Sequence, residues 1–216
     1  MPRQLLSFGD SWPYGAELLE GSKPYGELIA ESLNIPHKNY SQPATSVEKL
    51  ILQLKDAVQS SDVSNSIAIF TITSPTRSIW VDDEHNFHEI HVRNQDPISQ
   101  AYYKYIWSDD LDHYKINTVV LALQRICQQY NIDDYYVSGF TKIDLNYPGI
   151  DSSKIYQTSL TELLNCQIPV NIVNNMDFCV DRQNPFIWPN ECHPNQAGHV
   201  EIACTLGPWI NANTKI

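Results

Sequence analysis

Apolar residues fall along the chain in short clusters of two kinds. The first kind is continuous. "QLLSF" at 4–8 and "SIAIFTI" at 66–72 are unbroken apolar runs of strand length, and "DDYYVSGF" at 133–140 ends a similar run in Gly139. Runs of this sort suit strands buried on both faces. Residues 36–40 lead into another short strand, and "PVNIV" at 169–173 suits a further one. The second kind recurs at helical spacing. Leu28, Ile29 and Leu33 mark a helix over 25–33, and Val47, Leu50, Ile51, Leu54 and Val58 form the stripe of another over 46–59, with Ser46 as its N-cap. Residues 98–131 read as largely helical, with Val119, Val120, Leu123, Ile126 and Cys127 on one face. Short and long helices are expected at 159–164 and 195–210. Strands separated by helices predict a parallel sheet covered on both faces, whose ligands bind beyond the carboxyl ends of the strands. Ser11, the loop from Ser41, and Thr73 follow three successive strands and are expected to converge there.

Composition narrows this picture. The 216 residues suit one domain spanning 1–216, large enough to bury a core without metal or disulfides. A net charge of -11 argues against nucleic-acid or anionic-membrane partners, and no apolar run reaches membrane-spanning length. Five widely spaced cysteines without C-x-x-C suit idle thiols. With an N-terminus lacking a signal peptide's apolar stretch, they point to a cytoplasmic protein, phage-encoded origin being a further expectation.

The candidate chemistry lies at the chain ends. "LLSFGDSWPYG" delivers Ser11 to a turn after the first strand, and "WPNECHPNQAGH" places His193 before Pro194 at the start of the last helix. A serine hydroxyl needs a base to become nucleophilic, and histidine is the usual one. Pro194 biases the backbone of His193 away from helix. The alternative readings are a helix N-cap at Ser11 and an ordinary loop histidine at 193.

Phe8-Gly9-Asp10-Ser11 with His193-Pro194-Asn195 and Gly198-His199 resembles the SGNH or GDSL hydrolases, esterases and lipases of flavodoxin-like three-layer α/β/α fold. The resemblance implies a sheet of about five parallel strands, no metal and no organic cofactor. It implies Ser11 as nucleophile and oxyanion donor, and His193 as general base. Two family blocks depart. Ala44 stands where a glycine N–H is expected, a workable donor if its φ is negative. The Gly-x-Asn-Asp block is replaced by Thr71-Ile72-Thr73-Ser74 and Arg77. Thr73 is therefore the expected side-chain donor, with Ser74, Arg77 and Asp10 as accessory groups. The family's Asp three residues before the base is Asn190 here, expected to orient His193, with Glu191, Asp177 or Asp181 as other sources of charge.

His85, His88 and His91 recur every three residues, which would suit a metal on a helix but not on the strand or flap that 77–97 suggests. Trp12, Tyr14, Trp80 and Phe87 are candidates for lining a cleft. The expected function is hydrolysis of a small acyl ester, an O-acetyl group on a carbohydrate being the first guess. The alternative is an inactive glycan-binding or structural protein on the same fold, and a third reading places the chemistry on Cys192 or a histidine-bound metal.

Overall fold

The computed structural model describes residues 3–92, 94–140, 143, 147–166, 184–187 and 193–214. The elements are β1 (Leu5–Phe8), α1 (Ser11–Tyr14), α2 (Tyr25–Ser32), β2 (His37–Asn39), α3 (Lys49–Ser60), β3 (Ile67–Ile72), β4 (Ser78–Val81), β5 (Phe87–Ile90), α4 (Pro97–Tyr105), α5 (Asp109–Gln129), β6 (Asp133–Ser138), β7 (Ile155–Tyr156), α6 (Leu160–Leu163) and α7 (Gln196–Asn213). Five strands form one sheet in the order β2-β1-β3-β6-β7, every neighbouring pair parallel. The expected three-layer architecture is present. Leu5 pairs with both His37 and Ile67, and Ile67 with Asp133, so the central strands begin level and deliver their carboxyl ends to one edge.

Alternation along these apolar strands builds two cores. Leu6, Phe8, Ala68, Phe70, Ile72 and Tyr136 face α3 and α5, where Phe8, Phe70 and Tyr136 stack at 4.7 and 5.2 Å between neighbours. Leu5, Ile67, Ile69, Tyr135 and Val137 face the other way, against α2 and α7. Covering both faces is why these strands carry continuous apolar runs.

Several boundaries differ from the sequence pattern. Helix α3 begins at Lys49 with Glu48 at its N-cap, so Ser46 is not the cap. The hydroxyl of Ser46 is buried without a hydrogen-bond partner. Val47 still packs into the core, from the turn before the helix. The helical stretch after 97 is two helices, because the Ser108 side chain accepts the Leu111 N–H and starts α5 afresh. The short strand β7 carries too little apolar pattern to be found by periodicity. The strand expected at 169–173 lies outside the described residues. The 77–97 segment is a hairpin of β4 and β5, in which His88 lies opposite Trp80 and His85 sits in the turn with positive φ. Among the described residues no helix is long and apolar enough to cross a membrane.

Candidate active site

Strand β1 ends in Gly9, whose φ of +150° carries the chain into a turn that a side chain would block. A Cβ there would lie 2.5 Å from Pro13 Cγ and 3.0 Å from Thr71 Cβ. The amide of Gln53, on α3, holds this turn from both sides. Its Oε1 accepts the Gly9 N–H and its Nε2 donates to the Gly9 carbonyl, each at 2.9 Å. Asp10 then caps α1, its Oδ1 accepting the Trp12 N–H at 3.1 Å. The backbone of Ser11 therefore opens a helical turn, and its own N–H is not the one the cap uses.

The three loops expected to converge do so. The Gln42 N–H donates to the Gly9 carbonyl at 3.0 Å. The Thr73 hydroxyl donates to Asp10 Oδ2 at 2.6 Å, and the Arg77 guanidinium lies 3.3 Å from the same oxygen. Arg77 also reaches the Thr45 carbonyl at 3.4 Å and is only 17% exposed. It is a structural arginine, the counter-ion of the fully buried Asp10. A buried carboxylate needs such partners.

This geometry changes the roles expected of the middle blocks. The Thr73 proton is directed to Asp10, a carboxylate being the stronger acceptor, so it does not point at a developing oxyanion. Ser74 Oγ is paired with Thr76 Oγ1 at 2.9 Å. Ala44 has a φ of +61°, not the negative value on which its exchange for glycine would have cost nothing. Ala44 lies in a turn closed by a hydrogen bond from the Thr45 hydroxyl to the Gln42 carbonyl, and Gln42 itself is joined to Gly9.

The other chain end is attached to the same region. Asn195 caps α7, its Oδ1 accepting the Gly198 N–H at 3.1 Å, and its own N–H donates to the Phe186 carbonyl at 2.9 Å. A Cβ on Gly198 would approach that carbonyl oxygen to 2.4 Å, so only glycine fits. Two residues before this cap, His193 Nδ1 lies 2.8 Å from Glu17 Oε2, six residues beyond Ser11. The carboxylate sits off the N–H direction, so Nδ1 has no aligned hydrogen bond although the ion-pair distance is short. Gln196 Oε1 accepts the Lys23 N–H at 2.8 Å, tying α7 further to the segment after Ser11.

The two histidines of this end differ in kind. His199 is fully buried. Its Nδ1 accepts the Tyr25 N–H at 3.2 Å, and its ring stacks on Tyr25. Burial, with a smaller effect from the nearby His193, lowers its pKa to about 4. It is a neutral packing group, while the side chain of His193 remains 22% exposed. Burial likewise raises the Tyr25 phenol, whose hydroxyl pairs with Thr71 Oγ1.

Asn190, Glu191, Cys192, Asp177 and Asp181 lie outside the described residues. Trp12 does not line a cleft. It is buried in the core against Phe140, because the second position of α1 faces inward. Trp80 stacks on His88, which pairs with Asp82 at 2.7 Å, and Phe87 and Tyr14 are exposed. Among the described residues, no cluster of His, Cys, Asp or Glu has metal-binding geometry. A cavity of about 760 Å³ opens at the opposite end of the sheet beside Arg3, Asp133 and Lys154, whose charges already pair with one another. It lies at the strand starts, away from the chemistry above. Gln53 and Glu17 were missed from sequence, since neither has a local signal. Gln53 lies among the stripe of α3, and Glu17 is one of many acids.

Comparison with known proteins agrees with this geometry at the level of fold. No family model matches the chain, and no curated protein matches it. Among solved structures, an acetylxylan esterase from Geobacillus stearothermophilus superposes with a TM-score of 0.54 at 11% identity, covering 98% of this chain and 94% of that one. A lipolytic G-D-S-L family protein from Veillonella parvula gives 0.50 at 12%, with 98% and 97% covered. The psychrotrophic esterase EstA from Pseudoalteromonas sp. gives 0.50 at 12%, with 96% and 98% covered. The chain therefore has the SGNH/GDSL hydrolase fold over nearly its whole length.

Proposed function

We propose that this protein is a serine ester hydrolase in which Ser11 is the nucleophile and His193 the general base. The observation that carries the reading is the meeting of the two chain ends. His193 lies against Glu17, on the segment that leaves the Ser11 turn, at the carboxyl edge of the sheet. Ligands of open parallel sheets bind at that edge. Ser11 Oγ attacks the acyl carbonyl as its proton passes to His193. The N–H groups of Ser11 and Ala44 hold the developing oxyanion. Collapse of the tetrahedral intermediate returns the proton to the leaving alcohol, and water then releases the acid from the acyl-serine. No metal or organic cofactor enters these steps.

The substrate we propose is a small acyl ester, with acetyl groups on a carbohydrate as first choice. Acetylxylan esterases share the fold, and the exposed Phe87 and the Trp80–His88 stack lie on the hairpin that follows Arg77. One observation favours the non-catalytic alternative, a glycan-binding protein. Thr73 and Ser74 are engaged with other groups, so of the donors expected from sequence only the Ser11 and Ala44 N–H groups remain for an oxyanion.

Hydrolysis of p-nitrophenyl acetate and of acetylated xylo-oligosaccharides separates the two. The expected result is turnover above background, its loss in Ser11→Ala, and fluorophosphonate labelling at Ser11; an esterase sharing this fold is inhibited by monoethylphosphonate. Glycan binding without turnover or labelling would establish the alternative.

A further inference from the structure

We infer that the carboxylate partner of the catalytic base is Glu17, supplied by the turn that follows the nucleophile rather than by the residues just before the base. This rests on the reading of Ser11 and His193 above. Three observations carry it.

The first is which ring nitrogen is engaged. Glu17 Oε2 lies 2.8 Å from Nδ1 of His193. The carboxylate is in reach of Nδ1 without an aligned hydrogen bond. A small ring rotation that aligns it holds the imidazole proton on Nδ1 and leaves the lone pair on Nε2, the tautomer that can accept a serine proton. When Nε2 takes that proton, the ring becomes a cation beside an anion.

The second is the backbone that presents Glu17. After α1 the chain doubles back. The Gly15 and Ala16 N–H groups both donate to the Ser11 carbonyl, and the Leu18 N–H to the Gly15 carbonyl. Glu17 is held at φ +67°. Among the described residues, seven non-glycine residues have positive φ, and four are asparagine, which tolerates that region. Glu17, Ala44 and His85 are the others. A glutamate held there is strained, and such strain gathers at functional sites.

The third is the anchoring of both partners. His193 stands two residues before the Asn195 cap of α7, and the segment after Glu17 is joined to α7 through Lys23–Gln196 and Tyr25–His199. His199 is buried and neutral, with Nδ1 taken by the Tyr25 N–H. The carboxylate is not buried, with a side chain 32% exposed. Solvent screening makes its contribution smaller than the ~10⁴ in turnover lost when a buried triad acid is neutralised.

The experiment compares Glu17→Gln, Glu17→Asp and Asn190→Ala with the unaltered protein and with Ser11→Ala. Readouts are kcat and KM on p-nitrophenyl acetate, the rate of fluorophosphonate labelling, thermal stability, and the ¹⁵N–¹H spectrum of the His193 ring. Glu17→Gln is expected to lower kcat and labelling rate roughly 10²-fold with KM within about twofold and stability unchanged, and Glu17→Asp to recover part of that loss. The ring proton is expected on Nδ1 in the unaltered protein. The inference is overturned if Glu17→Gln stays within about twofold of the unaltered protein while Ser11→Ala is inactive, or if Asn190→Ala alone causes the kcat loss. In either case the hydrolase reading survives. If the unaltered protein neither turns over nor labels, the hydrolase reading fails and this inference falls with it.

Discussion

Gln53 and Gly9 exchange two hydrogen bonds of 2.9 Å, side-chain amide to both backbone groups, as a neighbouring strand would. One α3 side chain thereby completes the backbone pairing of the turn before Ser11, at the point where β1 leaves the sheet. Both residues are buried, so neither group of Gly9 has water as a substitute.

Replacing Gln53 by Leu strands the Gly9 N–H, while the Gly9 carbonyl keeps its hydrogen bond from the Gln42 N–H. A stranded buried group costs about 1–3 kcal/mol. The expected loss in urea unfolding is of that size, with the proposed esterase activity falling further than stability as the turn loosens. A variant as stable as the parent would show that the pairing is dispensable.

Asp10 and Arg77 form a pair whose carboxylate is fully buried. Breaking such a pair from one side leaves an unmatched charge and costs about 3 kcal/mol. Asp10→Asn and Arg77→Gln are each expected to destabilise. Together they should cost less than their sum by at least ~1 kcal/mol in a double-mutant cycle. Simple additivity would mean that Arg77 acts through something other than Asp10.

Ala44 occupies left-handed backbone, where an L-residue with Cβ costs roughly 1–2 kcal/mol and glycine almost nothing. Ala44→Gly is expected to leave stability unchanged or raise it by up to about 1 kcal/mol, the gain being offset by glycine's freedom in the unfolded chain. If the Ala44 N–H serves the oxyanion, activity is retained in this variant. A drop in kcat would show that the methyl group has a positive role.

His199 and His37 are both held near pKa 4 by burial, against an ordinary value of 6.5. In the folded state they resist protonation, so between pH 6.5 and 4 the unfolded chain binds more protons. Their contribution is complete above pH 6.5, declines as pH falls, and is spent near pH 4. His199→Gln, which keeps an acceptor for the Tyr25 N–H, should reduce the slope of unfolding free energy against pH in that window by up to about 1.4 kcal/mol per unit. Equal slopes in variant and parent would refute this assignment.

The parallel sheet and its covering on both faces were legible from residue pattern alone; the strand order was not. Apolar runs such as 66–72 have no choice but a strand buried on both faces, and the stripes of α2 and α5 have one packing side. The cap expected at Ser46 was wrong, because the chain makes a turn there before α3 begins. The starts of the helices at 159 and 195 were read within a residue or two, and Ser159 and Asn195 cap them. The placement of Ser11 after β1 and of His193 before the last helix belongs to the same class, because each follows from one short stretch.

What joins to what was decided by tertiary structure. The Thr73 hydroxyl went to Asp10 rather than toward a substrate because folding brought a buried carboxylate within 2.6 Å of it. Gln53 became the clamp of Gly9 across 44 positions, and Glu17 met His193 across 176. Periodicity reports which face of an element is apolar. It carries no information about which polar group on another element will stand opposite a given atom, and hydrogen-bond and ion-pair partners are set only when those elements pack.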